Sequence, residues 1–203
     1  MTAVRWLATL ASAVALAACS FSPNQPPLSR TTPSPSPVST GAFTVLADRP
    51  MRLPHLAAGA SCPQATLSRP SPDFGYGLGD GPVYAIGGQG LRSAPSGVTK
   101  VLWAANPIYT GPIRIRGGQL DGPRNLLFDS SSGNEWRGAP AKVLQTPNGV
   151  FDLDVELDFQ VSGTSTGAPW RNWPSYTYVG SPGCYAWQID GVSFTELIEV
   201  AVS

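Results

Sequence analysis

The chain has 203 residues, with 13 Lys+Arg against 13 Asp+Glu, 22 Gly and 21 Pro. That length suits one domain with short appendages, and a formal charge of zero excludes the basic surface that nucleic acid or anionic lipid needs for binding by charge alone. Gly and Pro scattered between short apolar alternations exclude long helices and predict an all-β fold.

The first segment reads as an export signal. Arg5 gives a positive start, and Trp6 to Ala18 is an uncharged apolar run, too short for the roughly 20 residues that cross a bilayer. The tetrad Leu16-Ala17-Ala18-Cys19 resembles the bacterial lipobox. The resemblance implies cleavage before Cys19, a diacylglyceryl group on its sulfur, and an extracytoplasmic protein whose membrane partner is reached through that lipid. Residues 1–18 are then the signal peptide, and 19–41 are the lipidated Cys19 and a Pro/Ser/Thr-rich disordered tether. The tether has too little apolar content to fold and favours extended polyproline II. Residues 42–203 form the β domain.

Within that domain Pro82–Ile86, Lys100–Ala104, Ile113–Arg116 and Asn125–Phe128 read as short strands, with Asp121-Gly122 turning between the last two. The clearest strand is Val150–Val161, entered from the turn Pro147-Asn148-Gly149. In it Phe151, Leu153, Val155, Leu157, Phe159 and Val161 alternate with Asp152, Asp154, Glu156, Asp158 and Gln160. Asp190-Gly191 between Cys184–Ile189 and Val192–Val202 is a hairpin signal, so the last two strands are expected to be antiparallel neighbours. Count and spacing predict an antiparallel sandwich of about seven to nine strands. With Cys19 lipidated, Cys62 and Cys184 remain in an oxidising compartment and are expected to pair.

The ending Ser181-Pro182-Gly183-Cys184-Tyr185-Ala186-Trp187-Gln188-Ile189-Asp190-Gly191, followed by Phe194 and an apolar last strand, resembles the tail of uncharacterised exported and lipoprotein β-sandwich domains of Gram-positive bacteria. Gly79-Asp80-Gly81-Pro82-Val83-Tyr84 is a weaker likeness to the same group. The resemblance implies an immunoglobulin-like β-sandwich pinned by a Cys-to-Cys bridge, and no activity.

No reaction signature is present. His55 is the sole imidazole, no Gly-x-Ser-x-Gly elbow or zinc spacing occurs, and the expectation is no catalytic residue, no metal and no cofactor. Gly75-Tyr76-Gly77-Leu78-Gly79-Asp80-Gly81 lacks phosphate-binding spacing and reads as a turn whose Tyr76 and Asp80 can rim a pocket. The acidic face of Asp152, Asp154, Glu156 and Asp158 reads as a cross-strand ladder opposite Arg114 and Arg116. Trp170, Arg171, Trp173, Tyr176 and Tyr178 form an aromatic shelf suited to stacking on a sugar or peptide. Cys184 is expected to point inward, so its neighbours Tyr185 and Trp187 face the opposite side and join it. Glu196 falls on the apolar register of the last strand, so a bulge near Phe194–Leu197 is expected. The leading expectation is a membrane-anchored, non-catalytic binding module for cell-envelope glycan, peptide or protein. The alternatives are an accessory lipoprotein without a small ligand and a carboxylate-dependent glycan hydrolase.

Overall fold

The computed structural model describes residues 45–57, 59–93, 97–129, 141–146, 149–159 and 169–203. The chain divides into two units, Met1–Val38 and Ser39–Ser203. The predicted export segment, Cys19 and the predicted tether lie outside the described residues, all of which belong to the second unit. Among them no helix is long and apolar enough to cross a membrane.

The strands are β1 (Leu67–Ser68), β2 (Gly77–Leu78), β3 (Val83–Ile86), β4 (Val98–Ala105), β5 (Ile113–Gln119), β6 (Leu127–Asp129), β7 (Lys142–Thr146), β8 (Gly149–Leu153), β9 (Glu156–Phe159), β10 (Arg171–Tyr178), β11 (Gly183–Gly191) and β12 (Thr195–Val202). One sheet has the order β1-β2-β3-β4-β10-β6, the other β12-β11-β5-β9, and β7 with β8 forms a separate hairpin. Every strand pairing is antiparallel. This is the expected all-β sandwich, with twelve strands among the described residues in place of seven to nine.

Part of the excess has a physical origin in the run predicted as one strand from Val150. Its alternation breaks where the chain changes partners, at Asp154-Val155. β8 pairs with β7, Asp154 bridges to Phe128, and β9 pairs with β5. Amide and carbonyl of Asp154 both bond Phe128, at 2.7 and 2.8 Å, so Asp154 is a buried hinge residue and Val155 turns outward. Val161 and Gln160, together with Pro147 and Asn148 of the predicted turn, lie outside the described residues. The hairpin from β11 to β12 forms as expected, one step later than predicted: Gly191 is still in its strand and its amide bonds Phe194.

The core lies between the two large sheets. Val83, Ala85, Val101 and Trp103 from one meet Ile113, Ile115, Tyr185, Trp187 and Ile189 from the other. Trp103 and Trp187 meet edge to face at 5.6 Å, the geometry that their ring quadrupoles favour, and the Trp103 indole donates to Ser175 Oγ at 2.9 Å.

β11 is buried on both sides, and here the sequence reading of its faces is reversed. Tyr185, Trp187 and Ile189 point into the core, while Cys184, Ala186, Gln188 and Asp190 point away from it. That outer face is covered by a strap, residues 45–57 and 59–62, which runs antiparallel along β11. At one end Leu53, Leu56 and Cys62 pack on Leu120, Cys184 and Ala186, and the Cys62–Cys184 disulfide closes with Cα atoms 5.4 Å apart. At the other end the contact is polar. Asp190, with no exposed surface, accepts from Arg116 at 2.7 Å, Gln188 at 2.8 Å and Thr195 at 2.7 Å. Gln188 in turn takes the Arg52 amide at 2.6 Å and donates to Pro50 O at 3.1 Å.

The predicted charge ladder forms in part. Arg114 lies opposite Asp158 and grips it with two hydrogen bonds, at 2.7 and 2.9 Å, with Glu156 at 3.6 Å. Arg116 pairs instead with Asp190, while Asp152 and Asp154 leave the ladder with β8.

The disulfide spans 122 residues of sequence, so its removal frees a long loop in the unfolded chain. Replacing Cys62 and Cys184 together by Ser is expected to cost roughly 3–5 kcal/mol and to lower the melting temperature by roughly 10–15 °C. A thermal melt of the double variant checks this. An unchanged midpoint would mean that packing alone holds the strap.

Candidate functional site

Three turns meet at the end of the sandwich far from the disulfide: 79–82 before β3, 106–112 after β4, and 192–194 before β12. They tie to one another through the backbone. The Asn106 amide bonds Pro82 O at 2.8 Å, and the Tyr109 hydroxyl donates to Pro112 O while accepting the Val192 amide at 3.0 Å. Between them lies a cleft of about 500 Å³ lined by Asp80, Gly81, Pro82, Tyr84, Asn106, Ile108, Tyr109, Ser193 and Phe194. Its size suits a small ligand. Tyr109 and Phe194 meet edge to face at 5.0 Å, and Ile108 is 84% exposed, an apolar side chain left in water at the mouth of an aromatic cleft.

Glu196 stands behind this cleft. No bulge occurs: Glu196 lies in regular register opposite Ile189, facing inward with Ile198 and Val200. The sequence reading set the cost of a buried acid against a bulge and omitted the partner. Glu196 Oε1 accepts the amides of Asp80 at 2.7 Å and Gly81 at 3.1 Å. A side chain at residue 79 would put its Cβ 2.7 Å from that oxygen, and Gly79 holds φ +115°, a conformation open to glycine alone at no cost. The loop Gly79-Asp80-Gly81 and Glu196 are therefore one unit. Glu196 Oε2 is buried with no hydrogen-bond partner. Burial pushes the carboxyl up to about 7 against the opposing pull of backbone hydrogen bonds from Asp80, Gly81 and Val83, because a charged carboxylate loses more hydration than they return.

The residues predicted as an aromatic shelf are parted by the alternation of β10. Trp173 turns inward and stacks on Phe159 at 5.1 Å. Arg171 shares that side, its guanidinium 5.9 Å from the Trp173 ring. Tyr176 and Tyr178 turn outward beneath the β7–β8 hairpin, where Phe151 meets Tyr176 at 5.1 Å and Lys142 bonds the Tyr178 hydroxyl at 3.1 Å. Tyr185 and Trp187 have no exposed surface. Trp170 alone reaches the cleft region, packing on Phe74 at 5.5 Å and on the cleft residue Tyr84 at 5.9 Å. Asp80 lines the cleft as expected; Tyr76 is exposed outside it.

Sequence reasoning missed Tyr84, Tyr109 and Phe194. A usable signal was present in the three polar or glycine-bearing turns that enclose them, since turns at one end of a sandwich commonly carry its binding residues. A second cavity of about 360 Å³, lined by Arg49, Arg52, Gln188, Asp190 and Thr195 among others, lies under the strap, where Arg49, Gln188, Asp190 and Thr195 are joined by hydrogen bonds. Among the described residues no group of three His, Cys, Asp or Glu side chains is placed to hold a metal ion. His55 is exposed on the strap.

The folded chain holds the Glu196 proton between its ordinary 4.5 and about 7, whereas the unfolded chain releases it. Stability from this group is complete below 4.5 and falls as pH rises through 7, by about 3 kcal/mol in all at about 1.4 kcal/mol per tenfold change in proton affinity. Melting temperatures from pH 5 to 8 should decline, and Glu196→Gln should flatten the decline. An equal slope in the variant would place the acid elsewhere.

Searches of protein-family models, curated proteins and solved structures find no match to this chain.

Proposed function

We propose that this chain is an extracytoplasmic lipoprotein anchored through Cys19, and that its domain is a non-catalytic module binding an envelope glycan, peptide or protein in the loop-end cleft. The observation that carries the binding reading is the cleft itself. Tyr84, Tyr109 and Phe194 line it, Trp170 flanks it through Tyr84, and Ile108 stands exposed at its edge. Aromatic faces beside a few fixed polar groups stack on sugar rings and apolar side chains alike. Glu196 is withdrawn, with Oε1 engaged by two amides and Oε2 buried, so the geometry supports binding over acid catalysis. The Cys62–Cys184 bridge supports an oxidising compartment, since such bridges persist there.

Ligand contact is centred on Trp170 and Tyr84, in place of the wider set read from β10. Titration of the protein with envelope oligosaccharides and peptides should change tryptophan emission saturably, and Trp170→Phe should remove most of the change while leaving the melting temperature within a few degrees. No response to any of them would sink the module. For the anchor, Cys19→Ala should move the protein from the membrane fraction to the soluble one, and continued membrane retention would refute lipidation.

A further inference from the structure

We propose that the loop-end cleft takes an aliphatic ammonium group, the side chain of a lysine in a peptide, with its charge at Asp80 and its stem along the rings of Tyr84 and Phe194. This rests on the binding-module reading and names its ligand.

Most polar groups of the cleft are already spent on the fold. The Tyr84 hydroxyl donates to Asp80 O at 3.4 Å, and the Tyr109 hydroxyl donates to Pro112 O and accepts the Val192 amide. Pro82 O takes the Asn106 amide at 2.8 Å, and Asn106 Oδ1 takes the Ile108 amide at 3.0 Å. Ring carbon, the Asp80 carboxylate, the Ser193 hydroxyl and the donor end of Asn106 are left to meet a ligand. Asp80 is exposed and is the one charged side chain among the lining residues. The ion pairs among the described residues use Arg114, Arg116, Glu156, Asp158 and Asp190, and Asp80 stands outside them.

An unpaired carboxylate beside aromatic rings suits a cation on an apolar stem. The rings attract the charge through their quadrupoles and cover the methylenes, and the carboxylate supplies the ion pair. An anion would meet the acid, and a sugar would find few partners for its hydroxyls. The two ends of the cleft differ in the field they feel. Burial raises the Tyr84 phenol first, and Glu196 and Asp80 raise it further. Burial also raises the Tyr109 phenol, but the Val192 amide, Arg171 and Arg49 pull it back. The ammonium therefore belongs at the Tyr84 end, above the loop whose amides hold Glu196. Arg49 is turned away, its guanidinium bonded to Val192 O, Phe194 O and Thr195 in the cavity under the strap. Ile108 and Val192 stand exposed at the turns beyond Tyr109, an apolar seat for the residues that flank the lysine in a peptide.

The test is a chemical-shift titration of the isotope-labelled full chain with alanyl-lysyl-alanine blocked at both termini, with its Nε-acetyl, norleucine and glutamate counterparts, and with a neutral oligosaccharide. The lysine peptide should bind about tenfold more tightly than the Nε-acetyl and norleucine forms, and the glutamate form should bind least. Shifts should include the indole N–H of Trp170, which packs on Tyr84. Asp80→Asn, at an exposed position, should bring the lysine peptide down to the norleucine one and leave the affinity of the latter and the melting temperature unchanged. If that variant fails to fold, the peptide series on the unaltered chain decides. Equal binding of the lysine, Nε-acetyl and norleucine peptides, a lysine preference that survives Asp80→Asn, or binding of the oligosaccharide alone would overturn the ammonium site and leave the module standing. No binding of any probe would remove both.

Discussion

A strand buried on both faces is the constraint on which this domain turns. In β11 every residue from Cys184 to Gly191 is buried, so the sandwich core can cover only half of it. The other half needs a third layer, and the strap provides it. Its chemistry matches the face it covers. Leucines and a disulfide lie over Cys184 and Ala186, and strap main-chain groups bond Gln188. The Asp190 carboxylate is tolerable there because three donors replace the water it loses. Removing one donor would leave a buried charge short of partners, the costly case for such networks.

The strap then fixes the geometry at the far end of the strand. Having crossed β11, it carries Arg49 to the carbonyls of Val192 and Phe194, so the turn that lines the cleft is held from outside the sandwich. From inside, Glu196 holds the facing loop by its amides. The cleft between them is thus bounded by two turns whose positions are set by side chains from distant segments, a rigid support of the kind that pre-organises a binding site. The disulfide lies at the opposite end of β11, where it secures the strap without entering the cleft.

The legible parts of this structure are those where local chemistry decides. Alternation gave the strands, the Asp190-Gly191 turn gave the β11–β12 hairpin, and the expected pairing of Cys62 with Cys184 gave the bridge. Facing was harder. Cys184 shares parity with Gln188 and Asp190, and Tyr185 with Trp187 and Ile189. Weighing the two sets by apolar bulk favours the aromatic set for the core, but a disulfide is commonly thought of as interior, and that expectation prevailed in the sequence reading. Glu196 was illegible for a different reason. Its partners are backbone amides of residues 80 and 81, more than a hundred positions away, and no pattern within β12 announces them. The aromatic run at 170–178 was seen as a unit because it is contiguous, yet β-alternation sends successive rings to opposite sides of the sheet.

Buried polar atoms without partners also occur away from the cleft, at Arg116 Nε, Thr177 Oγ1 and Trp187 Nε1, so an orphan atom alone does not mark a site. Those three differ in kind. Arg116 is already ion-paired through another nitrogen, and the other two are neutral groups in a packed core, where a missing bond costs about 1–3 kcal/mol. Arg171 and Glu196 are ionisable groups; Arg171 lies inward on β10 beside Trp173, and Glu196 adjoins the Gly79-Asp80-Gly81 loop. A fold that spends three donors on Asp190 has the means to satisfy a charge. Glu196 is accommodated differently: two amides engage its Oε1, and it keeps its proton up to about 7, so the acid sits beneath the cleft without an ion-pairing partner.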